Sequence, residues 1–247
     1  ELSATVLNTL NGNTDGVINA GTVTTLTGAA SAINTAYAAN AAAGHLTGLG
    51  NEAVTLSDTE LSATVLNTLN GNTDGVIDAG TVTTLTGAAS AMNTAYTANA
   101  GAGHLTGLGN EIATINDTAL AATVLNTLNS NTDGNVNVAS ITGNLSGDAA
   151  DVKTALTTAG IINRGGLNVS IGNNHNLTQL QAINNATTGT ITLSNSGQAL
   201  SGSAAAANEA LNGIAGYTGD ITLNDTELAV TVLNTLNGRT DGVIDAG

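Results

Sequence analysis

The sequence predicts an α/β fold in which short parallel strands alternate with short helices in a right-handed repeat solenoid. The first observation is that residues 1–59 and 60–118 are nearly the same and differ at only eight aligned positions. The second is that short apolar segments alternate with segments of helical period. Repeats of this size bury their apolar faces against neighbouring copies rather than in one closed globule. A mostly-β solenoid is the alternative that the sequence leaves open.

The copies divide the chain into five segments. Repeats 1–59 and 60–118 are followed by two degenerate copies, 119–173 and 174–226, and by a partial copy, 227–247. INNATTGTITL (183–193) aligns with LNGNTDGVIDA (69–79), which places Gly189 opposite Gly75. We expect the chain to be a window of a longer array, because it starts and stops within the repeated phrase.

The first predicted helix of each repeat lies in SDTELSATVLNTLNG, residues 57–71. Ser57 and Glu60 have the spacing of a capping box, and Gly71 follows where a C-cap is expected. Three apolar residues share one face of this helix: Leu61, Val65 and Leu69.

The second predicted helix lies in TTLTGAASAMNTAY, residues 83–96. Its apolar positions follow a helical period: Leu85, Ala89, Met92 and Tyr96. The Ala-rich segments 147–156 and 201–213 are predicted to be its degenerate counterparts.

Between the helices lie segments that resemble strands: GVINA, AVTL, GVIDA, IATI, NVSI, TITL, DITL and a second GVIDA. Four pairs of these are 22 residues apart, as from Val54 to Val76, while the other arm varies from 31 to 37 residues. The constant arm predicts a strand–helix–strand rung. The variable arm contains the Gly/Ala-rich segment 39–52, which we expect on the surface because loops tolerate insertions.

Composition narrows the range of functions. There are 18 acidic residues against three basic ones, so the net charge is −15 and binding to nucleic acid is not expected. No apolar run approaches the ~18 residues of a membrane span. The absence of cysteine rules out disulfides and thiolate chemistry.

One motif could bind a cation. In NGNTDGVID, the residues Asn70, Asn72, Asp74, Val76 and Asp78 match positions 1, 3, 5, 7 and 9 of an EF-hand or dockerin loop. Position 12, where a bidentate carboxylate is expected, is a threonine. The sequence therefore predicts at most a weak Ca²⁺ site, and the alternative is that Asn, Asp and Gly serve only as turn residues. A weaker copy contains Asn11, Asn13 and Asp15.

No catalytic centre is predicted. His45 and His104 occur once per repeat without a second metal ligand nearby, and His175 is isolated. Tyr37 and Tyr96 are expected to pack at a helix end. The segment GLGNE lacks the lysine of a phosphate-binding loop.

The phrases VTTLTGAAS…NTAY and LSATVLNTLNG resemble the tandem repeats of giant cell-surface proteins of marine cyanobacteria and related bacteria. This resemblance implies an exported structural or adhesive protein that forms rods, fibres or surface layers. A Ca²⁺-stiffened adhesin stalk is the alternative. We expect self-association with like chains, because an uncapped stack of repeats presents open strand edges. Surface polysaccharide is a further candidate partner.

Overall fold

The structure is a computed structural model that describes residues 1–42, 45–101 and 103–246. The chain forms two compact units. Unit 1 comprises Glu1–Asn116 and Leu128–Asn137, and unit 2 comprises Asp117–Thr127 and Val138–Gly247.

The helices are seven to twelve residues long. Those in the described residues are α1 (Ala4–Gly12), α2 (Ala30–Ala41), α3 (Ala63–Asn72), α4 (Ala89–Ala100), α5 (Ala122–Ser130), α6 (Ala149–Thr157), α7 (Leu177–Ala186), α8 (Ala204–Ala210) and α9 (Val230–Asn237). Helices this short depend on tertiary packing, because isolated helices below ~12–15 residues are marginal in water.

The strands are two to four residues long. The first ten are β1 (Leu2–Ser3), β2 (Ile18–Asn19), β3 (Thr25–Gly28), β4 (Leu46–Thr47), β5 (Ala53–Leu56), β6 (Glu60–Ser62), β7 (Ile77–Asp78), β8 (Thr84–Gly87), β9 (Leu105–Thr106) and β10 (Ile112–Ile115). The others are β11 (Leu120–Ala121), β12 (Val136–Asn137), β13 (Asn144–Gly147), β14 (Ile161–Ile162), β15 (Asn168–Ile171), β16 (Ile191–Leu193), β17 (Leu200–Gly202), β18 (Ile221–Leu223) and β19 (Ile244–Asp245).

Among the strands of unit 1 that the structure describes, consecutive strands never share a sheet. The order β1-β3-β5-β7-β9 forms one sheet, β2 pairs with β4, and β6, β8, β10 and β12 lie side by side in a further sheet. The strands pair in parallel. Unit 2 contains the parallel order β11-β13-β15-β16 and the parallel order β17-β18-β19. The predicted α/β class is therefore confirmed. The helices of the described residues do not fit the mostly-β alternative.

The strand pairs predicted from the constant spacing are confirmed. The backbone N–H of Val54 donates to the carbonyl of Val76 at 2.8 Å, and that of Ala113 donates to Asn135 at 2.9 Å. In the Cα register, Val54 lies opposite Ile77, which is one residue beyond Val76. In the third pair, Val169 lies opposite Ile191, which corresponds to the 22-residue spacing of the sequence.

The core is built from aliphatic residues of strands and helices. Leu26 and Leu85 of equivalent strands are fully buried, and so are Leu66 and Leu69 on one side of α3. Alanines at helix starts, such as Ala30 and Ala89, are also fully buried. Small residues there let a helix lie close to its neighbours.

The prediction for residues 57–71 is wrong at both ends. Residues 60–62 form strand β6, and the helix begins only at Ala63. Ser62 is the N-cap residue, and Ser57 and Glu60 do not form the predicted capping box. Gly71 lies inside the helix. Leu61 belongs to the strand, where the alternation of Glu60, Leu61 and Ser62 between exposed and buried positions has a period of two.

The prediction for residues 83–96 is also half wrong. Residues 84–87 form strand β8, and the helix runs from Ala89 to Ala100. The four apolar residues chosen by helical period are all buried. Leu85 nevertheless points into the core from a strand, because short apolar runs satisfy both periods. The degenerate helices are confirmed as α6 and α8.

Segment 39–52 is only partly at the surface. Ala43 and Gly44 lie outside the described residues, but Leu46, Leu49 and Glu52 are buried. The side chain of Asn40 bonds Leu49 in both directions, at 3.0 and 3.1 Å. The segment is therefore bonded to the end of its helix rather than looping freely into solvent.

No helix in the described part of the chain is both long and apolar enough to cross a membrane.

Candidate functional site

The predicted cation-binding residues lie at the junction of α3 and β7. Asn70 and Asn72 are in the last turn of α3, and Asp78 is in β7. The amide of Asn72 donates to Asn34 Oδ1 at 2.9 Å, and Asp78 Oδ1 accepts from the N–H of Gly80 at 2.9 Å. Asp74 is exposed on the turn between the helix and the strand.

The carbonyl predicted at position 7 is already used. Val76 O accepts the N–H of Val54, so it completes the sheet rather than facing a cation. By contrast, the Oδ1 atoms of Asn70 and Asn11 are buried without a hydrogen-bond partner. In the weaker copy, Asn13 is the C-cap residue of α1, and Asp15 is exposed. The described residues contain no group of three or more His, Cys, Asp or Glu side chains that could hold a metal.

Thr73, which the sequence did not single out, makes the side-chain hydrogen bonds that stabilise this turn. Its hydroxyl accepts from the N–H of Gly75 at 3.0 Å and donates to the carbonyl of Gly50 at 3.2 Å. The N–H of Asp74 donates to the same carbonyl at 2.8 Å. One turn therefore makes three hydrogen bonds, two of which reach the chain segment before β5.

Gly75 is required for space rather than for a left-handed conformation. A Cβ at this position would lie 1.9 Å from the carbonyl oxygen of Glu52. Gly189 in the degenerate copy is in the same situation, with a Cβ 2.2 Å from the carbonyl oxygen of Leu167. This shared close approach supports the alignment of Gly189 with Gly75 made from the sequence.

Beneath this turn lies a buried polar cluster formed by Tyr37, Glu52 and Thr73. The Tyr37 hydroxyl donates to Glu52 Oε2 at 3.1 Å, and Glu52 accepts the N–H of Gly50 with both carboxylate oxygens, at 3.1 and 2.9 Å. Glu52 is 2% exposed and Tyr37 3%. The carboxylate thus has its donors inside the protein, as a buried charge requires.

The next repeat contains the same cluster. Tyr96 donates to Glu111 Oε2 at 3.1 Å, and Gly109 N–H donates to both carboxylate oxygens at 2.9 Å. The hydroxyl of Thr132 donates to the carbonyl of Gly109 at 2.9 Å. The tyrosines therefore do more than pack at a helix end, and the glutamate of GLGNE is their acceptor. The pairing could have been predicted from the sequence, because a tyrosine and a glutamate recur fifteen residues apart in both copies.

The cluster shifts the acidity of its tyrosines. Burial, followed by the charge of Glu52 and the hydrogen bond to it, raises the pKa of Tyr37 to about 12, although the hydrogen bond with Thr73 acts in the opposite direction. Burial raises the pKa of Tyr96 as well. Both phenols stay protonated in neutral solution and act as donors rather than as bases.

The degenerate copy replaces this polar pair with leucines. Leu156 and Leu167 occupy the positions of Tyr37 and Glu52, and both are buried. The turn above them is retained, since Thr187 bonds the N–H of Gly189 at 3.0 Å. The cluster is therefore a packing element for which an apolar substitute exists within the same chain.

Helix caps are supplied by a following segment of the chain. Asp58, which lies between β5 and β6, accepts the N–H of Ala30 at the start of α2 at 2.8 Å. In unit 2, Asn173 accepts from Ala149 at 3.0 Å and Asp225 accepts from Ala204 at 2.7 Å. The predicted cap residue, Ser57, is the neighbour of Asp58, but the helix that this motif caps is α2 rather than the helix that follows it.

Asparagine side chains connect successive helices. Asn8 of α1 donates to the carbonyl of Ala32 at 2.8 Å, Asn34 of α2 to Val65 at 3.0 Å, and Asn67 of α3 to Ala91 at 2.8 Å. Asn126 and Asn208 make the equivalent bonds in unit 2, at 3.0 and 3.4 Å. We call this set the asparagine ladder.

The remaining candidates do not form a site together. His45 and His104 are exposed, whereas His175 is buried and its Nδ1 lies 3.4 Å from the carbonyl of Asn173. Burial lowers the pKa of His175. Arg239 bonds the side-chain oxygens of Asn208 and Asn212 at 3.1 and 3.0 Å.

No protein-family model matches this chain, and neither a curated protein nor a solved structure is significantly similar to it.

Proposed function

We propose that the chain is a structural repeat segment of a very long extracellular or cell-surface protein, and that its repeats stack as a right-handed α/β solenoid. One observation supports this most directly: each repeat is completed by the next. Thr73 of repeat 60–118 bonds Gly50 of repeat 1–59, and Asn34 of repeat 1–59 bonds Val65 of repeat 60–118. Units that satisfy one another in this way suit extension by repetition.

The charge of the chain agrees with an exterior location in salt water. A net charge of −15 keeps the surface soluble, and in seawater-level salt the Debye length is only a few Å, so repulsion between chains is screened. Three basic residues also offer few sites to trypsin-like proteases. We propose that like chains, and secondarily surface polysaccharide, are the partners.

The test is to duplicate residues 60–118 in frame and compare the products by small-angle scattering and electron microscopy. If repeats stack, each added copy lengthens the particle by a constant increment and leaves its cross-section unchanged. A particle that grows equally in all directions would contradict the proposal. Duplicating one repeat at a time supplies its own internal control.

The Ca²⁺-stiffened stalk is the second candidate, and one observation favours it. Asn70 Oδ1 and Asn11 Oδ1, the predicted first ligands, are buried without a hydrogen-bond partner in both copies. A thermal melt in Ca²⁺ and then in EDTA tests the idea. A site that binds the ion raises the melting temperature in Ca²⁺, since a ligand that binds only the folded state stabilises it. The candidate is eliminated if the melting midpoint of the wild-type chain is the same in Ca²⁺ and in EDTA, and if the Asp74→Asn and Asp78→Asn variants give the same two melting curves as the wild type.

A further inference from the structure

We propose that Asn212 converts to aspartate and isoaspartate without an enzyme, by attack of the Gly213 nitrogen on its side chain, and that Arg239 accelerates this reaction. Asn212 and Gly213 lie in the turn after α8, and Arg239 follows α9. The chemistry does not require the repeats to stack, so it goes beyond the proposed structural function.

The reaction uses only the chain and water. The N–H of Gly213 loses its proton to a base in solution, and the nitrogen bonds to the side-chain carbonyl carbon of Asn212. The Cγ–Nδ2 bond then breaks, the amide nitrogen leaves as ammonia with a proton from water, and a cyclic succinimide remains. Water opens this ring at either carbonyl, which gives aspartate or isoaspartate at residue 212. Both Asn212 and Gly213 are exposed, so water and base reach them.

The chain contains four Asn-Gly pairs, and their backbone nitrogens differ in what they bond. The pairs begin at Asn11, Asn70, Asn212 and Asn237. Gly12 and Gly71 belong to helices α1 and α3, in which the N–H groups bond the preceding turn. The N–H of Gly238 donates to two carbonyls of the last turn of α9, at 3.3 and 3.2 Å. The N–H of Gly213 donates to no atom in the part of the chain that the structure describes, so it can attack without first breaking a hydrogen bond.

The backbone at this turn leaves room for the ring. Gly213 has a φ of 77°, in the left-handed region that glycine adopts without strain. A Cβ at this position would have no heavy atom within 4 Å. Helix α8 packs against both α7 and α9, so the turn is exposed although both neighbouring helices are in place.

Arg239 places a positive charge on the atom that becomes negative. Its Nη1 donates to Asn212 Oδ1 at 3.0 Å, and its Nε donates to Asn208 Oδ1 at 3.1 Å. Negative charge develops on Asn212 Oδ1 when the nitrogen attacks Cγ, so a cationic donor at this atom stabilises the transition state more than the ground state. The second hydrogen bond holds the guanidinium in position.

Both residues are departures from the repeat. The first three copies have asparagine at the position of Arg239: Asn13, Asn72 and Asn131. Asn208 and Asn34 hold the same place in the asparagine ladder. Asn212 therefore corresponds to Ala38, which has no amide. Two substitutions in one copy thus bring a guanidinium onto a reactive amide, and after the reaction an ion pair replaces the hydrogen bond to a neutral acceptor.

The test incubates the folded whole chain in mildly alkaline buffer made with heavy-oxygen water and follows each Asn-Gly peptide by mass spectrometry. Conversion incorporates heavy oxygen from the solvent, and fragmentation distinguishes aspartate from isoaspartate. Asn237 is the matched control, since it is exposed and also precedes glycine. We expect Asn212 to react at least about tenfold faster than Asn237, because the Gly238 N–H must first leave its hydrogen bonds. In urea, the rates at the four pairs should converge, because the dipeptide is the same.

Two variants test the guanidinium. Arg239→Asn restores the residue of the other copies and should slow the reaction of Asn212 about tenfold, less than the loss of a donor in a water-excluded site because this site is exposed. Arg239→Lys keeps the charge and should retain part of the rate. Neither change should alter the rate in urea, and circular dichroism checks that both variants are folded. Equal rates at Asn212 and Asn237 in the folded chain would overturn the modification site. An Asn212 that reacts as fast in the folded Arg239→Asn variant as in the wild type, or faster, would overturn the role of the guanidinium.

Discussion

Replacing Glu52 with leucine should destabilise unit 1 strongly, and adding Tyr37→Leu should restore much of the loss. The single change removes the acceptor of two donors, the Tyr37 hydroxyl and the Gly50 N–H. A donor left unsatisfied in the interior costs about 1–3 kcal/mol, so the two together cost about 4 kcal/mol. The double variant removes the phenol as well and leaves only the Gly50 N–H without its acceptor.

The third repeat indicates that the double variant can pack. Leu156 and Leu167 fill the equivalent positions and are 1% and 3% exposed. We therefore expect the double variant to lose only about 2 kcal/mol, less than Glu52→Leu alone. The coupling energy of the double-mutant cycle should then be roughly 2 kcal/mol or more in favour of the pair of leucines.

Hydrogen exchange read by mass spectrometry is the suitable assay, because peptides that span β5 report the opening of unit 1 separately from that of unit 2. Glu60→Leu makes the same chemical change at an exposed position and should stay within about 0.5 kcal/mol of the wild type. If the losses of the two single variants simply add in the double variant, the cluster does not act as a unit and this account of it is wrong.

Three further predictions address the turn, the cap and the tyrosines. Gly75→Ala should lower the free energy of unfolding, measured with urea, by at least about 3 kcal/mol, because the added Cβ would lie 1.9 Å from a backbone oxygen. Gly71→Ala lies in open space inside α3 and should raise it by about 0.5–1 kcal/mol. Equal effects of the two variants would contradict the geometry. Asp58→Ala should cost about 1 kcal/mol through loss of the α2 cap, and Ser57→Ala should cost almost nothing; the reverse order would restore the capping box expected from the sequence. Burial raises the pKa of Tyr37 and of Tyr217 to about 12, and it raises the pKa of Tyr96 too. Each tyrosine therefore contributes stability that is fully present below pH 10.0, the pKa of an unfolded tyrosine, and that is lost as the pH rises through the pKa of the folded state. Tyrosinate absorbance should consequently appear together with loss of the circular dichroism signal, and its appearance near pH 10 in a folded chain would refute the burial argument.

The sequence was sufficient for the α/β class, for the strand pairs and for the degenerate helices. The constant step between Val54 and Val76 identified strands that are hydrogen bonded to each other, because a repeat fixes spacing even where propensity is ambiguous. Helix starts were misplaced because TLTG and ELS are too short to show a period. These two segments are extended because they pair with each other in the sheet, where Leu61 lies opposite Leu85.

The site was predicted less well, since its bonds span distances in the chain that local motifs do not show. Asp58 looks like part of its own helix start, but it caps a helix that begins 28 residues earlier. Thr73 lies between two polar residues of the motif and gives no local signal of its own. Its hydroxyl nevertheless accepts from the N–H of Gly75 and donates to the carbonyl of Gly50. The prediction of a cation-binding loop rested on the polar residues of NGNTDGVID. It did not include the fact that the Val76 carbonyl accepts the hydrogen bond of Val54 in β5.

The number of strands in each repeat explains why equivalent strands of the first two repeats lie in different sheets. Each repeat contains five strands, β1–β5 and then β6–β10, and among the described strands of unit 1 consecutive ones never share a sheet. Because five is odd, β1, β3 and β5 lie in the same sheet as β7 and β9, while their own counterparts β6, β8 and β10 lie in another. The pairings are nevertheless the same in the two sheets: Thr25 lies opposite Ala53 in one, and the equivalent Thr84 lies opposite Ile112 in the other. Each strand of one repeat therefore meets the same neighbours as its counterpart in the next, and the near-identity of residues 1–59 and 60–118 follows from this equivalence.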